Sequence, residues 1–296
     1  MEANVFQRVL VVYKKSAYKI YFLERKSSLF GKQALFKPAE IRRFKLAHET
    51  HYRTLAFIEE ILRRYKIRFR KRRRGQRIDA SGYDLIITVG GDGTFLEAAR
   101  SALTQPLWGV NSDPAHSVGR FCSTRPEHFE RDLVNLLKGN FRTVSLHRFR
   151  LELRAGKNKR IVNVLNDLLF CHQNPAAMSR YYLTINKIRE EQRGSGLWVS
   201  TAAGSSGAIH SAGGQVIPRA SKLIQYRPRE IFSGFHAKYR LTGGMLFLHH
   251  PILIESIMRS GRIYIDGAHL SFSFGLGNKA ILTNSLYPAN VIQFKA

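Results

Sequence analysis

A buried-strand pattern that runs directly into a glycine turn constrains this chain more than any other segment. Residues 85–89, Leu-Ile-Ile-Thr-Val, are all β-branched or aliphatic, which is typical of a strand covered on both faces of a parallel sheet. The run ends in Gly-Gly-Asp-Gly-Thr at 90–94, and residues 95–100 have a helical pattern. This order predicts a phosphate-binding loop, because glycines let the backbone approach phosphate oxygens and the first N–H groups of a helix attract anions.

One carboxylate, Asp92, lies inside this turn. A carboxylate beside phosphate is repelled unless it binds a metal or takes part in proton transfer, so its position indicates a catalytic role. The structural alternative is that Asp92 only caps the helix that follows. The turn therefore predicts a catalytic residue and leaves the cap as the competing interpretation.

The charge of the chain favours anionic ligands. Its 296 residues carry a formal net charge of +27, which suits nucleotides, polyphosphate, nucleic acid or an anionic surface, although a solvated basic face explains it equally well. Cys122 and Cys171 form neither a disulfide framework nor a metal-binding spacing. No apolar run approaches the ~20 residues of a membrane span. We expect a cytoplasmic protein with no membrane partner.

The first half of the chain predicts an open, Rossmann-like α/β domain over residues 1–140. Strands are expected at 9–12, 85–89 and 106–110, with helices at 38–65 and 126–137. Two histidines on the long helix, His48 and His51, have no third metal ligand nearby in the sequence. We interpret them as polar positions at a helix–helix or subunit contact.

The second half predicts a β-sandwich over residues 141–296, with the last strand packing back on the N-terminal domain. Many short apolar segments are separated by Gly, Pro and Asn there, which is typical of an all-β domain. The fold class is therefore α/β plus all-β. Strands are predicted at 147–154, 161–170, 181–188, 246–249, 252–257, 262–265, 270–274, 280–282 and 291–294.

A basic run at 63–77 contains ten Lys or Arg among fifteen residues. Tyr65, Ile67 and Phe69 alternate with cations, which predicts a strand with one basic face followed by a loop over 71–77. The alternative is a polyanion-binding segment. No stacking platform accompanies the charge, so we predict a solvated face that lies outside the active site.

Two segments of the β region have compositions that suggest a binding or catalytic site. Asn166 and Asp167 interrupt the apolar run 162–170, and buried polar side chains need partners; the alternative is a bulge or turn. Residues 194–214 are rich in Gly, Ser and Thr, which would let a flat ligand approach the backbone; the alternative is a flexible linker.

These segments together resemble the NAD kinase family. The turn at 90–94 matches its glycine motif, and Asn166-Asp167 matches its Asn-Glu pair with Asp in place of Glu. Ser200-Thr201, Gly204-Ser205 and 211–214 match its long Gly/Ser/Thr segment, and 265–267 matches a later Asp-Gly pair. The resemblance covers most of the chain.

Some features resemble the mitochondrial-type branch of that family. They are the segment 109–114, the long helix region 38–65 and the Gly-Ser-Gly at 194–196, where the common branch has Asp at the centre. Several further positions depart from the family pattern: Ala203 replaces a hydroxyl residue, Gly207 replaces a small apolar one, and Ala208 stands where an aromatic residue is usual. Ile209 and His210 are also unusual there. Losing an aromatic face would cost base stacking, worth roughly 1–3 kcal/mol.

The resemblance implies transfer of the ATP γ-phosphoryl group to the 2′-hydroxyl of the NAD(H) adenosine ribose, with Mg²⁺ carried by ATP rather than by protein ligands. It implies that Asp92 takes or orients the hydroxyl proton and that Asn166 and Asp167 hold the adenosine. The nucleotide-binding residues that it assigns are Gly90, Gly91, Gly93, Thr94, Asn111, Asp113, Asn166, Asp167, Ser195, Thr201, Gly204, Ser205, Ser206 and Ser211.

Alternatives stay open at this stage. A lipid kinase of the diacylglycerol type would share the glycine turn, and a regulatory protein would bind NAD without turnover, as Ala203 and Ala208 suggest. Polyphosphate could replace ATP as the donor. The sequence does not favour nucleic acid as a partner, and we expect a homodimer or higher homo-oligomer.

Overall fold

The computed structural model describes residues 6–24, 36–234 and 238–294. The chain divides into two compact units, which are described separately. Unit 1 is Met1–Val144 together with Asn290–Ala296, and unit 2 is Ser145–Ala289. No helix within the described ranges is long and apolar enough to cross a membrane.

Unit 1 is built on a largely parallel sheet with the strand order β2-β1-β3-β4-β19-β6 and with β5 beside β4. Its strands are β1 Arg8–Tyr13, β2 Arg68–Arg73, β3 Leu85–Gly90, β4 Leu107–Asn111, β5 Cys122–Thr124, β6 Arg142–Leu146 and β19 Ala289–Gln293. Its helices are α1 Pro38–Arg64, α2 Asp92–Ser101 and α3 Phe129–Leu137, with short helical turns at Lys19–Leu23 and Pro126–His128.

The core of unit 1 lies between the sheet and its helices. Val11, Ile87 and Val110 project from neighbouring strands and pack with Ile58 of α1 and Leu133 of α3. All six residues of β3 are buried, so the strand predicted from its uncharged run is confirmed. This buried strand places the glycine turn at the carboxyl-terminal end of the parallel strands.

The strand predicted from the alternation of Tyr65, Ile67 and Phe69 begins later, at Arg68. Helix α1 ends instead in a left-handed cap, with Lys66 at φ 56° and the N–H of Ile67 donating to the carbonyl of Leu62. Ile67 and Leu62 belong to the same core. The apolar alternation therefore came partly from a helix cap, in which Ile67, beyond the end of the helix, packs against Leu62 of its last turn.

Unit 2 consists of two antiparallel six-stranded sheets, in the orders β11-β10-β15-β18-β7-β8 and β14-β13-β12-β9-β16-β17. The first sheet contains β7 Phe149–Ala155, β8 Asn158–Val164, β10 Ser179–Ile185, β11 Ile188–Gly194, β15 Ile252–Ser256 and β18 Lys279–Asn284. The second contains β9 Asp167–His172, β12 Gly196–Thr201, β13 Leu223–Arg229, β14 Gly244–Phe247, β16 Gly261–Ile265 and β17 Leu270–Ser273, and a short helix α4 spans Ala208–Ser211.

Both sheets of unit 2 contribute to one core. Leu151 and Leu183 of the first sheet pack in the same cluster as Leu168, Val199 and Ile263 of the second. Alternate residues of β10 and β15 are buried, as expected for sheets with one covered face. The predicted fold class, an open α/β part and a β-sandwich, is confirmed.

Two predicted strands of unit 2 are each divided in the structure. The run 161–170 separates into β8 and β9, which lie in different sheets, with Leu165 and Asn166 between them. The segment 181–188 ends at Ile185 because Asn186 and Lys187 have φ angles of 47° and 67°, the left-handed pair of a tight hairpin turn. Strand β11 after this turn and strand β13 were not predicted, because polar and charged residues, and a proline in β13, interrupt their apolar patterns.

Candidate functional site

The site in unit 1 lies where three parallel strands end. The chain leaves β1 for β2 on one side of the sheet and leaves β3 for β4 on the other, so the carboxyl ends of β1 and β3 flank the switch point at which open α/β sheets bind ligands. Lys14 follows β1, residues 90–94 end β3 and begin α2, and Asn111 ends β4.

The glycine turn is a helix start. Gly91 is the N-cap of α2, and its carbonyl accepts the N–H groups of Thr94 at 2.9 Å and Phe95 at 3.3 Å. The first N–H groups of a helix have no partner within the helix, so those of Asp92 and Gly93 are directed out of its end. This backbone is suited to an anion.

The carboxylate of Asp92 is held in place by the next loop. Its Oδ1 accepts the backbone N–H of Phe121 at 2.9 Å, and the Phe121 ring stacks on Phe95 of α2 with centroids 5.1 Å apart. Burial, followed by the negative charge of Asp92, raises the pKa of the Cys122 thiol to about 12. Asp92 is therefore fixed in position while its side chain stays partly exposed.

The loop after β4 is a network of buried polar groups. Asn111 donates through Nδ2 to the carbonyl of Ser117 at 2.8 Å and accepts the N–H of Asp113 at 3.2 Å. A carboxylate oxygen of Asp113 lies 3.0 Å from Nδ1 of His116. Both predicted residues, Asn111 and Asp113, thus lie at the same sheet edge as the glycine turn.

His51 is a structural residue at this end of the sheet. The interpretation that it lies at a helix–helix or subunit contact is wrong. Its Nε2 lies 2.9 Å from the carbonyl of Lys14 and its Nδ1 lies 2.8 Å from the hydroxyl of Ser112. A carbonyl only accepts, so Nε2 carries the proton and Nδ1 accepts from Ser112. Burial, with the nearby Lys14, lowers the pKa of His51 to about 4. A neutral imidazole therefore ties α1 to the ends of β1 and β4.

The basic run does not lie entirely outside the site, so that prediction is wrong for Arg74. A Cβ placed on Gly93 would lie 2.8 Å from Nη1 of Arg74, which shows that the guanidinium lies against the glycine turn. Other cations of the run, such as Arg70 and Arg72, are exposed. The alternation of the basic run suggested that all its cations face outward along a strand. Arg74 instead follows the end of β2, so this pattern does not apply to it.

The site in unit 2 surrounds the break between β8 and β9. Thr201 donates its backbone N–H to the carbonyl of Asn166 at 2.9 Å and its hydroxyl to the carbonyl of Leu165 at 2.5 Å. Gly204 lies so close that a Cβ there would be 2.3 Å from the carbonyl oxygen of Asn166. The side-chain oxygen of Asn166 is buried and has no hydrogen-bond partner among the described residues.

Asp266 holds this break open. Its Oδ1 accepts the backbone N–H groups of Leu165 at 3.0 Å and Asn166 at 2.7 Å, from a left-handed backbone at φ 50°. Burial, followed by the charge of Asp266, raises the pKa of Asp167 to about 7. The sequence pointed to Asp266 only as part of an Asp-Gly pair, and its supporting role becomes visible in the structure.

The hydroxyl-rich segment contributes unequally. Ser205 is buried and structural, since its hydroxyl accepts the N–H of Ile217 at 2.8 Å and lies 2.8 Å from the carbonyl of Ala202. Ser206 is half-buried before α4, and Ser211 is exposed at the end of that helix. Ser195 lies at the opposite end of β12 from Thr201. The structure therefore does not bring Ser195 to Asn166 and Asp167, and its binding role stays a prediction.

Comparison with known proteins agrees with this geometry. Residues 7–141 match the family model of the ATP-NAD kinase N-terminal domain. The chain is 34% identical to a probable NADH kinase of Oryza sativa subsp. japonica over 217 residues, which span 66% of each protein. It is 30% identical to the NADH kinase of Arabidopsis thaliana over 296 aligned residues, 88% of this chain and 89% of that protein. The crystal structure of an NAD kinase from Archaeoglobus fulgidus in complex with ATP has the same fold, with a TM-score of 0.66, 23% identity, and coverage of 97% of this chain and 93% of that chain.

Proposed function

The chain belongs to the NAD kinase family, and we propose that it phosphorylates the 2′-hydroxyl of the NAD(H) adenosine ribose with MgATP as the donor. The hydroxyl oxygen forms a bond to the γ-phosphorus, the bond from that phosphorus to the bridging oxygen breaks, and ADP leaves. The proton of the hydroxyl passes to Asp92. Mg²⁺ enters with the triphosphate as part of the substrate and neutralises its charge.

The position of Asp92 is the observation that carries this proposal. One of its oxygens is occupied by the N–H of Phe121, so the carboxylate has a fixed orientation and a second oxygen for the substrate hydroxyl. It lies at the start of α2, where backbone N–H groups favour phosphate. A base beside an anion-binding turn supports phosphoryl transfer to a hydroxyl, which depends mostly on positioning and charge stabilisation.

The polar groups of unit 2 support a role in holding the adenosine. The side-chain oxygen Oδ1 of Asn166, which has no partner among the described residues, is an acceptor suited to the exocyclic amine of adenine, since amide side chains recognise adenine through its amine and ring nitrogen. Asp167, whose pKa is raised to about 7, can accept or donate a hydrogen bond near neutral pH. Thr201 and Gly204 fix the backbone around both residues.

The lipid-kinase alternative was left open by the glycine turn, and similarity along 88% of the chain to an NADH kinase favours the dinucleotide instead. The regulatory alternative depended on Ala203 and Ala208. Ala203 is buried and Ala208 is exposed at the first position of α4, while Asp92 and its hydrogen bond are present. Turnover by the purified protein separates an enzyme from a binding protein.

The test is a four-way assay with NAD or NADH and with ATP or polyphosphate, each with Mg²⁺. The product is measured as NADP(H) by an NADP-specific dehydrogenase, and the Asp92→Asn variant is the comparison. We expect formation of the phosphorylated dinucleotide with ATP and a fall of ~10²–10⁴ in kcat in the variant, as is usual when a general base is lost. Binding of NAD(H) without any product would refute the proposal, and retention of more than about a tenth of kcat would remove Asp92 as the base.

A further inference from the structure

The guanidinium of Arg74 is held beside the glycine turn by Glu97, one turn into α2. Nε of Arg74 donates to Glu97 at 3.2 Å, and the other Glu97 oxygen accepts the N–H of Gly75 at 2.5 Å. The backbone N–H of Arg74 donates to the carbonyl of Tyr13 at 2.8 Å, which continues the pairing of β2 with β1. Both the backbone and the side chain are therefore fixed, and Arg74 is only 22% exposed.

This arrangement directs the two terminal nitrogens of Arg74 towards the turn. A Cβ placed on Gly93 would lie 2.8 Å from Nη1 and 3.2 Å from Nη2. Within the described ranges, neither nitrogen donates a hydrogen bond to a protein acceptor. Arg74 thus presents a planar pair of donors, the geometry that binds two oxygens of one phosphoryl group.

A second cation lies close to the same turn. Burial lowers the pKa of the Lys14 amine, the carboxylate of Asp113 opposes this effect, and the positive charge of Arg74 adds to it. Arg74 and Lys14 are therefore near enough to repel each other. A negatively charged ligand at the start of α2 would relieve that repulsion.

We propose that Arg74 binds the γ-phosphoryl group of the donor triphosphate during its transfer, with Glu97 as the residue that positions it. The inference rests on the proposed function. Gly93 follows Asp92 directly, so the donors of Arg74 lie beside the residue that receives the hydroxyl proton, and the phosphoryl group must pass next to that hydroxyl. A guanidinium at this point neutralises the charge on the transferred oxygens.

The test compares Arg74→Gln and Arg74→Lys with a matched control, Arg70→Gln, which removes the same charge from an exposed position of β2. Kinetics are measured with MgATP varied at saturating NAD(H) and with NAD(H) varied at saturating MgATP, alongside the melting temperature. We expect kcat/KM for MgATP to fall about 10- to 100-fold in Arg74→Gln, the usual effect of losing a charge-assisted hydrogen bond. The KM for NAD(H) should stay within about twofold, the lysine variant should recover part of the loss, and the control should match wild type.

Three outcomes would overturn the inference. An unchanged kcat/KM for MgATP in Arg74→Gln would mean that Arg74 does not contact the donor. A rise confined to the KM for NAD(H) would assign Arg74 to the pyrophosphate of the acceptor. A lowered melting temperature with both KM values raised would make its role structural.

Calorimetric titration separates this inference from the proposed function. If the wild-type protein forms no phosphorylated dinucleotide, the proposed function fails, and the contribution of Arg74 is then read from MgATP affinity alone. We expect affinities for MgATP and for inorganic tripolyphosphate about 10-fold weaker in Arg74→Gln than in wild type, since both ligands share the phosphates. Equal affinities in the two proteins would overturn the inference.

Discussion

Replacing Asp167 by Asn is predicted to make the protein more stable in alkaline solution. Asp167 is 7% exposed, its carboxylate accepts no hydrogen bond from the described residues, and its pKa is raised to about 7 by burial and then by Asp266. An unfolded chain would ionise the same group near its ordinary pKa of 3.8. The stability that the protonated group contributes is therefore complete below about pH 4 and is lost as the pH rises through 7.

The magnitude follows from the difference between the two pKa values. They differ by about three pH units, and each unit corresponds to about 1.4 kcal/mol, so the ionised carboxylate lowers the free energy of unfolding by up to about 4 kcal/mol at pH 8. Asn has nearly the same shape and carries no charge. We expect Asp167→Asn to exceed wild type by up to about this amount at pH 8 and to approach it towards pH 4.

Urea unfolding at pH 5 and pH 8, followed by tryptophan fluorescence, measures the difference. Trp198 lies in β12 beside the strand that carries Asp167, and Trp108 lies in unit 1, so the signal reports on both units. Asp79→Asn is the control, because the pKa of the exposed Asp79 carboxyl is lowered by Ser81, and its loss brings no gain at pH 8. A gain of equal size at both pH values, or none at pH 8, would refute the electrostatic reasoning.

Asp266→Ala removes the acceptor of two backbone N–H groups and should lower the free energy of unfolding by about 2–6 kcal/mol, whereas Asp266→Asn keeps an amide oxygen and should cost less; equal losses in urea unfolding would argue against this role. Asn166→Ala should weaken NAD(H) binding by about 1–2 kcal/mol while MgATP affinity stays unchanged, and calorimetric titration that finds no loss for NAD(H) would remove Asn166 from the site. Changing Arg70, Lys71 and Arg72 together to Gln should leave kcat with MgATP within about twofold, because the fields of exposed charges are screened over ~8 Å; a larger loss in a well-folded variant would extend the site along β2.

The elements that sequence reasoning identified are those in which local pattern and tertiary environment agree. Residues 85–89 have no polar side chain apart from one threonine, and the strand is buried on both faces, so its pattern had one interpretation. The helix at 38–65 was recovered almost to its ends. The break at Leu165 and Asn166 was foreseen only as the alternative of a bulge or turn within one predicted strand, because it depends on a carboxylate about a hundred residues further along the chain.

The sequence motifs of the candidate site were predicted, but the residues that hold those motifs in place were not. Asp92 and Asn166 could be identified because a polar side chain in an apolar or glycine-rich segment is costly unless it has a partner or a ligand. His51 and Arg74 lie in segments whose composition has ordinary explanations, a polar helix position and a solvated basic face. Their roles depend on contacts with Lys14, Ser112 and Glu97, and sequence spacing does not report such contacts.

The position of β19 has a consequence for synthesis on the ribosome. This strand pairs with β4 in the middle of the first sheet, and its Val291 and Ile292 are buried. Residues 145–288, almost all of unit 2, are translated before it, so during that time β4 lacks its partner strand at Leu107. A nascent chain halted before residue 289 lacks that strand, and an exposed edge of this kind is a template for aggregation. A fragment confined to residues 7–141, the part that matches the family model, would expose the same edge permanently.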